Sequence, residues 1–248
     1  MAAEIKKEED HNKMGTKDIF PLLMGMSLPM MLSMLVQSLY NIVDSIYVSR
    51  LGTQALTAVS LAYPLQNIVV SVAVGIGVGI SSVLSISLGE KNQQRANQAA
   101  TMGILLTGIH CILFVIAGIL VTKPFLGLFT QDEAVFAQAC DYTYIVLCVS
   151  FGALLQVAME KIYQGVGAMK TTMFLLGAGC IINIILDPIL IFGMFGFPEM
   201  GVKGAAVATV IGQISAFLLY IIVYLKKNPG VVIHPKYIRF DWKLIKQI

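Results

Sequence analysis

Charge is what this sequence has least of. Only 12% of its 248 residues are Asp, Glu, Lys or Arg, against about 25% in ordinary soluble domains. Residues 19–43, 51–89, 96–122, 142–159 and 204–225 contain none of the four, and residues 171–198 contain only Asp187. That length of uncharged chain excludes the one or two soluble domains that 248 residues would otherwise suit. A membrane-spanning helix needs about 20 mostly apolar residues, and each run meets or nearly meets that length. Only helices or closed barrels satisfy their backbone polar groups in lipid. Barrel strands would show alternating polarity over about ten residues, which is absent. Also missing is any CxxC spacing among Cys111, Cys140, Cys148 and Cys180, so these read as small apolar packing residues rather than metal or redox groups. No secretory signal peptide is evident, and Met1–Lys17 reads as a polar, disordered tail.

What is there is an all-α polytopic membrane protein with a mean hydropathy of +0.80. Six helices are expected over 19–48, 55–88, 96–122, 136–163, 170–195 and 203–226. The expected organisation is a cytoplasmic tail over 1–18, a six-helix transmembrane lobe over 19–226 and a cytoplasmic segment over 227–248. With the N-terminus in the cytoplasm, the inner segments hold 14 Lys and Arg residues and the outer loops hold Arg50, Lys123 and Lys203. This is a strong positive-inside bias. Splitting 51–89 into two helices would weaken the bias, so one long helix kinked at Pro64 is expected there.

Two aspartates stand out against this background. A carboxylate at bilayer depth costs roughly 2.5–3.5 kcal/mol on insertion scales and marks an ion path, proton relay or substrate site. Asp44 is spaced i+7 and i+4 from Gln37 and Tyr40, and Asp187 is i+4 from Asn183. Counting from Arg50, Lys203 and Lys170 at about 1.5 Å per residue, Asp44, Thr209 and Asp187 fall at compatible depth in the outer half. The resulting set is rich in oxygen, which suits a hard cation. A pair of desolvated carboxylates suits a proton carrier equally, so Na⁺ and H⁺ both stay open. Pro29 and Pro188 each remove a helical hydrogen bond, releasing the carbonyls of residues 25 and 184. Gly75-Ile76-Gly77-Val78-Gly79 has no strand–turn–helix context and is not a nucleotide loop. His110 stands alone in the third helix and reads as packing.

Three segments taken together resemble a known family. Pro29, Gln37-x2-Tyr40-x3-Asp44 and Ser49-Arg50-Leu51-Gly52 are similar to the first helix of multidrug and toxic compound extrusion (MATE) transporters. Asn183-Ile-Ile-Leu-Asp187-Pro188 is similar to their fifth, and Gly204-Ala205-Ala206-Val207-Ala208-Thr209 to their sixth. The resemblance implies one lobe of a two-lobe, inverted-V transporter in the cell (inner) membrane. It implies a cation-coupled (Na⁺ or H⁺) antiporter that exports small organic, often cationic, molecules. Asp44, Asn183, Asp187, Thr209 and the Ala205 carbonyl would form the cation site, with Gln37 and Tyr40 as supporting network and Pro29 and Pro188 as kinks. The family has two such lobes, so 227–248 is expected to run into a truncated second one, and a missing C-terminal lobe becomes the expected partner. Neither a nucleic acid, a cofactor beyond the coupling ion, nor enzymatic activity is expected.

Other classes fit less well. A lipid-linked oligosaccharide flippase of the same superfamily would line its cleft with more basic residues, and the charge-free runs carry none. An intramembrane aspartyl protease would carry Tyr-Asp and Gly-x-Gly-Asp pairs, whereas Val43 precedes Asp44 and Leu186 precedes Asp187. A non-transporting subunit would not need the Asn183/Asp187 pair.

Overall fold

The structure, a computed structural model, describes residues 18–238 and 242–248. The expected tail over 1–18 therefore lies outside the described residues, except for Asp18. The helices are α1 (Ile19–Ser49), α2 (Thr53–Gly89), α3 (Gln93–Gly127), α4 (Glu133–Cys148), α5 (Phe151–Gly165), α6 (Met169–Phe192), α7 (Val202–Lys226) and α8 (Trp242–Gln247). Among the described residues there is no strand. Five helices are long and apolar enough to cross a membrane, and α4 with α5 makes a sixth span bent by 44°. The architecture is that of an all-helical, multi-pass membrane protein, as the charge-free runs predict.

Local chemistry sets several helix ends. The Asn92 side chain accepts from the Arg95 N–H at 3.0 Å and starts α3. The Asp132 carboxylate accepts from the N–H groups of Ala134 and Val135 and starts α4. Each cap satisfies donors that have no partner inside the helix. Gly193 closes α6 in the left-handed region at φ 69°, a conformation that glycine adopts without a Cβ penalty.

The structure corrects two boundaries. The expected fourth helix over 136–163 is two helices, broken at Val149–Ser150 without any proline. Short i→i+3 bonds tighten the break, Ser150 N–H to Leu147 O and Gly152 N–H to Val149 O. Packing accounts for the bend: a Cβ on Gly152 would lie 2.7 Å from the Ile214 side chain of α7. The bare glycine lets the start of α5 lean onto α7. The expected outer loop from Lys123 likewise begins late, because α3 continues through Pro124 to Gly127. A lysine near a helix end extends its amine to the interface, so its charge does not mark the terminus. The long second helix is continuous through Pro64.

α2 sits centrally against α3, α4 and α5, while α7 packs on α6, α5 and α4. α1 leans chiefly on α6 and leaves Leu23, Met31, Leu35 and Leu39 exposed, a surface suited to lipid. The connections at 50–52, 128–132 and 193–201 share one end of the bundle, termed distal. Those at 90–92 and 166–168, with the segment after α7, share the proximal end. One buried cluster lies distally around Val48, Tyr142, Ile191 and Ala205. Another lies proximally around Ile80, Leu84, Tyr163, Tyr220 and Val231.

Candidate functional site

The distal polar site rests on the seam between α6 and α7. On α7, Gly204, Ala208, Gly212 and Ala216 recur every four residues and all are buried. On α6, Gly179, Asn183 and Asp187 do the same. The two stripes face each other: a Cβ on Gly204 would lie 2.5 Å from Leu190 O, and one on Gly212 would lie 3.0 Å from both Asn183 Cβ and Gly179 O. Small residues bring helix backbones close in this way. The close seam turns Asn183 and Asp187 inward, to 2% and 0% exposure.

Asn183 Nδ2 donates to Asp187 Oδ1 at 3.3 Å. Asn183 Oδ1, Asp187 Oδ2, Thr209 Oγ1 and Asp44 Oδ1 are buried without any hydrogen-bond partner. Asp44 comes from α1 and interacts electrostatically with Asp187. Tyr40 lies in the field of both aspartates. Ala205 is fully buried one turn before Thr209, among the distal cluster residues. Buried polar atoms in native proteins nearly all have partners. Here two carboxylates, an amide carbonyl and a hydroxyl all offer free oxygen. That donor set fits a hard cation or a shared proton. Among the described residues, no group of three or more His, Cys, Asp or Glu side chains is placed to hold a metal ion, so any metal here relies on amide and hydroxyl oxygens as well.

A cavity of about 70 Å³ adjoins the group. Gln37 and Tyr40 of α1, Gln156 of α5, Asn183 of α6, and Thr209 and Gln213 of α7 line it, and no charged side chain does. Gln37 thus lines the cavity although its own residue is exposed on α1. A larger, open depression of about 390 Å³ runs beside Asn41, Ser45 and Ser49 on α1. The hydroxyls of Ser45 and Ser49 are already bonded to carbonyls of their own helix, so it offers little chemistry. Pro29 and Pro188 both lie inside continuous helices.

The structure adds residues that the sequence did not single out. Tyr142 of α4 is buried, lies in the field of Asp44 and Asp187, and donates to Gln66 Oε1 of α2 at 3.4 Å. Gln66, Gln156 and Gln213 are amides inside charge-free runs, the same signal that marks Gln37. Nearer the proximal end, Lys161 Nζ lies 3.6 Å from Glu160 Oε1, both side chains being 14% exposed. Gln164 bonds to both. His110 keeps its Nδ1 2.8 Å from Leu106 O of its own helix, and the four cysteines are free.

Comparison with known proteins bears on the whole arrangement. The MatE family model matches residues 29–189. The probable multidrug resistance protein YoeA of Bacillus subtilis is 33% identical over 221 residues, 89% of this chain and 48% of its own length. The FAD transporter of Shewanella oneidensis is 29% identical over 212 residues, 85% of this chain and 47% of its own. The solved structure of a MOP superfamily transporter from Pyrococcus furiosus superposes with a TM-score of 0.85 at 28% identity, covering 91% of this chain and 49% of that one. The chain spans about half the length of the curated relatives it matches.

Proposed function

This chain belongs to the MatE family, and on that premise we propose that it forms one lobe of a cation-coupled antiporter exporting small organic molecules. The family is one of multidrug efflux transporters rather than enzymes, and this reading assigns no catalytic residue. The observation that carries the coupling is the set of four partnerless buried oxygens on Asp44, Asn183, Asp187 and Thr209. Unpaired buried polar atoms are costly, and a Na⁺ ion or a proton relieves that cost. Asp44 and Asp187 supply the charge, Asn183 and Thr209 complete the oxygen set, and the Ala205 carbonyl extends it. Gln37 and Tyr40 link the set to the cavity, so cation occupancy and cavity shape are coupled through α1. Pro29 is the point at which α1 bends, because the carbonyl of residue 25 has lost its donor. Pro188 plays the corresponding role on α6.

The cavity lining holds no basic side chain. That favours neutral or cationic organic substrates over anions such as the FAD named for one relative. The excess of basic residues at the proximal end supports a cytoplasmic side for that end and for the N-terminus. A second six-helix lobe supplies the opposite wall of the cleft. The test is ethidium efflux from vesicles containing the complete transporter, with Na⁺ and pH gradients imposed separately. Efflux driven by one gradient and lost in Asp187→Asn is expected. Efflux indifferent to both gradients sinks the coupling.

A further inference from the structure

The segment that follows α7 has little regular structure, yet the backbone N–H groups of residues 230–234 all find side-chain acceptors. Asn228 Oδ1 accepts from the N–H groups of Gly230 and Val231, at 2.8 and 3.1 Å. The Val232 N–H donates to Asn97 Oδ1 at 2.8 Å, the Ile233 N–H to Tyr224 Oη at 2.8 Å, and the His234 N–H to Thr101 Oγ1 at 3.3 Å. Five consecutive backbone donors are therefore satisfied by side chains. Two of its backbone carbonyls are used as well. Gln93 Nε2 donates to Gly230 O at 2.7 Å and steadies Asn97 Oδ1 at 3.1 Å. The Tyr224 hydroxyl donates to Val231 O at 3.2 Å.

The seat is built into the helices. Gln93, Asn97 and Thr101 are i, i+4 and i+8 on one face of α3. Asn97 and Thr101 are buried to 4% and 5% exposure, and a buried amide carbonyl without such a donor would be costly. Val231 is fully buried among Ile80, Leu84, Ala96, Ala100 and Tyr220, whereas its neighbour Val232 is 38% exposed. An apolar plug and a row of hydrogen bonds thus hold the same five residues.

We propose that residues 230–234 are a docked strap rather than a free tether, seated between the proximal ends of α3 and α7, with Asn97 and Tyr224 as its positioning residues. The strap makes whatever follows α7 move as one body with the six-helix bundle. A rotation of α7 against α3 is then either resisted by the strap or passed along the chain through it.

The test is hydrogen exchange of the whole protein in lipid nanodiscs, resolved to single amides. In the unaltered protein the amides of residues 232–234 should exchange on the order of 100-fold more slowly than an unstructured peptide. Asn97→Leu should accelerate Val232 while the amides of α3 and α7 and the melting temperature stay unchanged. Tyr224→Phe, which removes one hydroxyl only, should accelerate Ile233 in the same selective way and serves if Asn97→Leu fails to fold. Peptide-like exchange at 232–234 in the unaltered protein overturns the proposal. So does unchanged protection in the variants, or acceleration spread evenly over the helices.

Discussion

The distal and proximal halves of this bundle both bury polar side chains, but they treat them differently. Proximally, Glu160, Lys161 and Gln164 satisfy one another, and Gln93, Asn97 and Thr101 are used by the segment after α7. Distally, Asp44, Asn183, Asp187 and Thr209 each keep a buried oxygen without a partner. Other partnerless atoms occur on Gln138, Thr143, Ser150 and Tyr163, but none of them is a carboxylate. Burial of charge alone therefore does not identify the working site, since Glu160 is charged and shielded too. In the proposed function it is buried charge left uncompensated by the protein that marks the cation site.

The largest test of that distinction removes the distal charge. Asp44→Asn and Asp187→Asn, made in the complete transporter, keep the side-chain volume and delete the carboxylate. A hydrogen bond or contact to a charged group is worth about 1.5–3 kcal/mol, so cation affinity should fall roughly 10–100-fold. Gradient-driven ethidium efflux should be abolished while expression and helical content are retained. Normal efflux in both variants removes the site assignment.

The next largest test breaks the proximal pair. Glu160→Gln leaves the Lys161 amine without its counter-charge in a largely buried position, which should cost up to about 3 kcal/mol of stability. The double variant Glu160→Gln, Lys161→Met removes both charges and should recover most of that loss. Thermal melts of the two variants decide it. A double variant no more stable than the single one shows that the pair does more than compensate itself.

The sequence displayed much of this contrast. Runs without charge mark the helices, because lipid tolerates little else for 20 residues. Asp44 and Asp187 are legible for the complementary reason, the cost of a carboxylate at depth. The break at Val149–Ser150 is not legible, because it arises from α5 leaning on α7 through Gly152 rather than from a local breaker. Tyr142 is hidden for a similar reason: an aromatic in an apolar run looks like packing until its neighbours are known. The seat on α3 lay in view as a polar stripe at Gln93, Asn97 and Thr101, but nothing in one helix says what its acceptors receive. The 227–248 segment reads as breakers and charge, yet three of its backbone partners, all on α3, are 133 to 137 residues away in sequence.

A smaller effect is expected from the seam that presents the distal group. A Cβ at Gly204 meets backbone, Leu190 O, rather than a movable side chain. Gly204→Ala should therefore push α6 and α7 apart at a cost of about 1–2 kcal/mol. The loss should appear both as a lower melting temperature and as weaker cation-driven efflux, because Asn183 and Thr209 belong to the two helices being separated. Gly177→Ala on α6, where an added Cβ meets nothing within 4 Å, is the control and should leave both unchanged. Equal effects from the two substitutions would mean that the seam is not what holds the distal oxygens together.

The smallest expected effect comes from charge that is distal but exposed. Lys203 Nζ lies 3.1 Å from Asp141 Oδ2, with the two side chains 52% and 42% exposed, and the pair joins α7 to α4. Water screens such a pair, so Lys203→Met should change stability by only about 0.2–1 kcal/mol. The difference should shrink further in about 0.5 M salt, where the Debye length is only a few ångströms. Gradient-driven efflux should persist, in contrast to Asp187→Asn at the same end of the bundle. If Lys203→Met abolished coupling as completely as Asp187→Asn, position near the distal end rather than uncompensated burial would be the governing property. The contrast between the two halves would then have to be redrawn around that end as a whole.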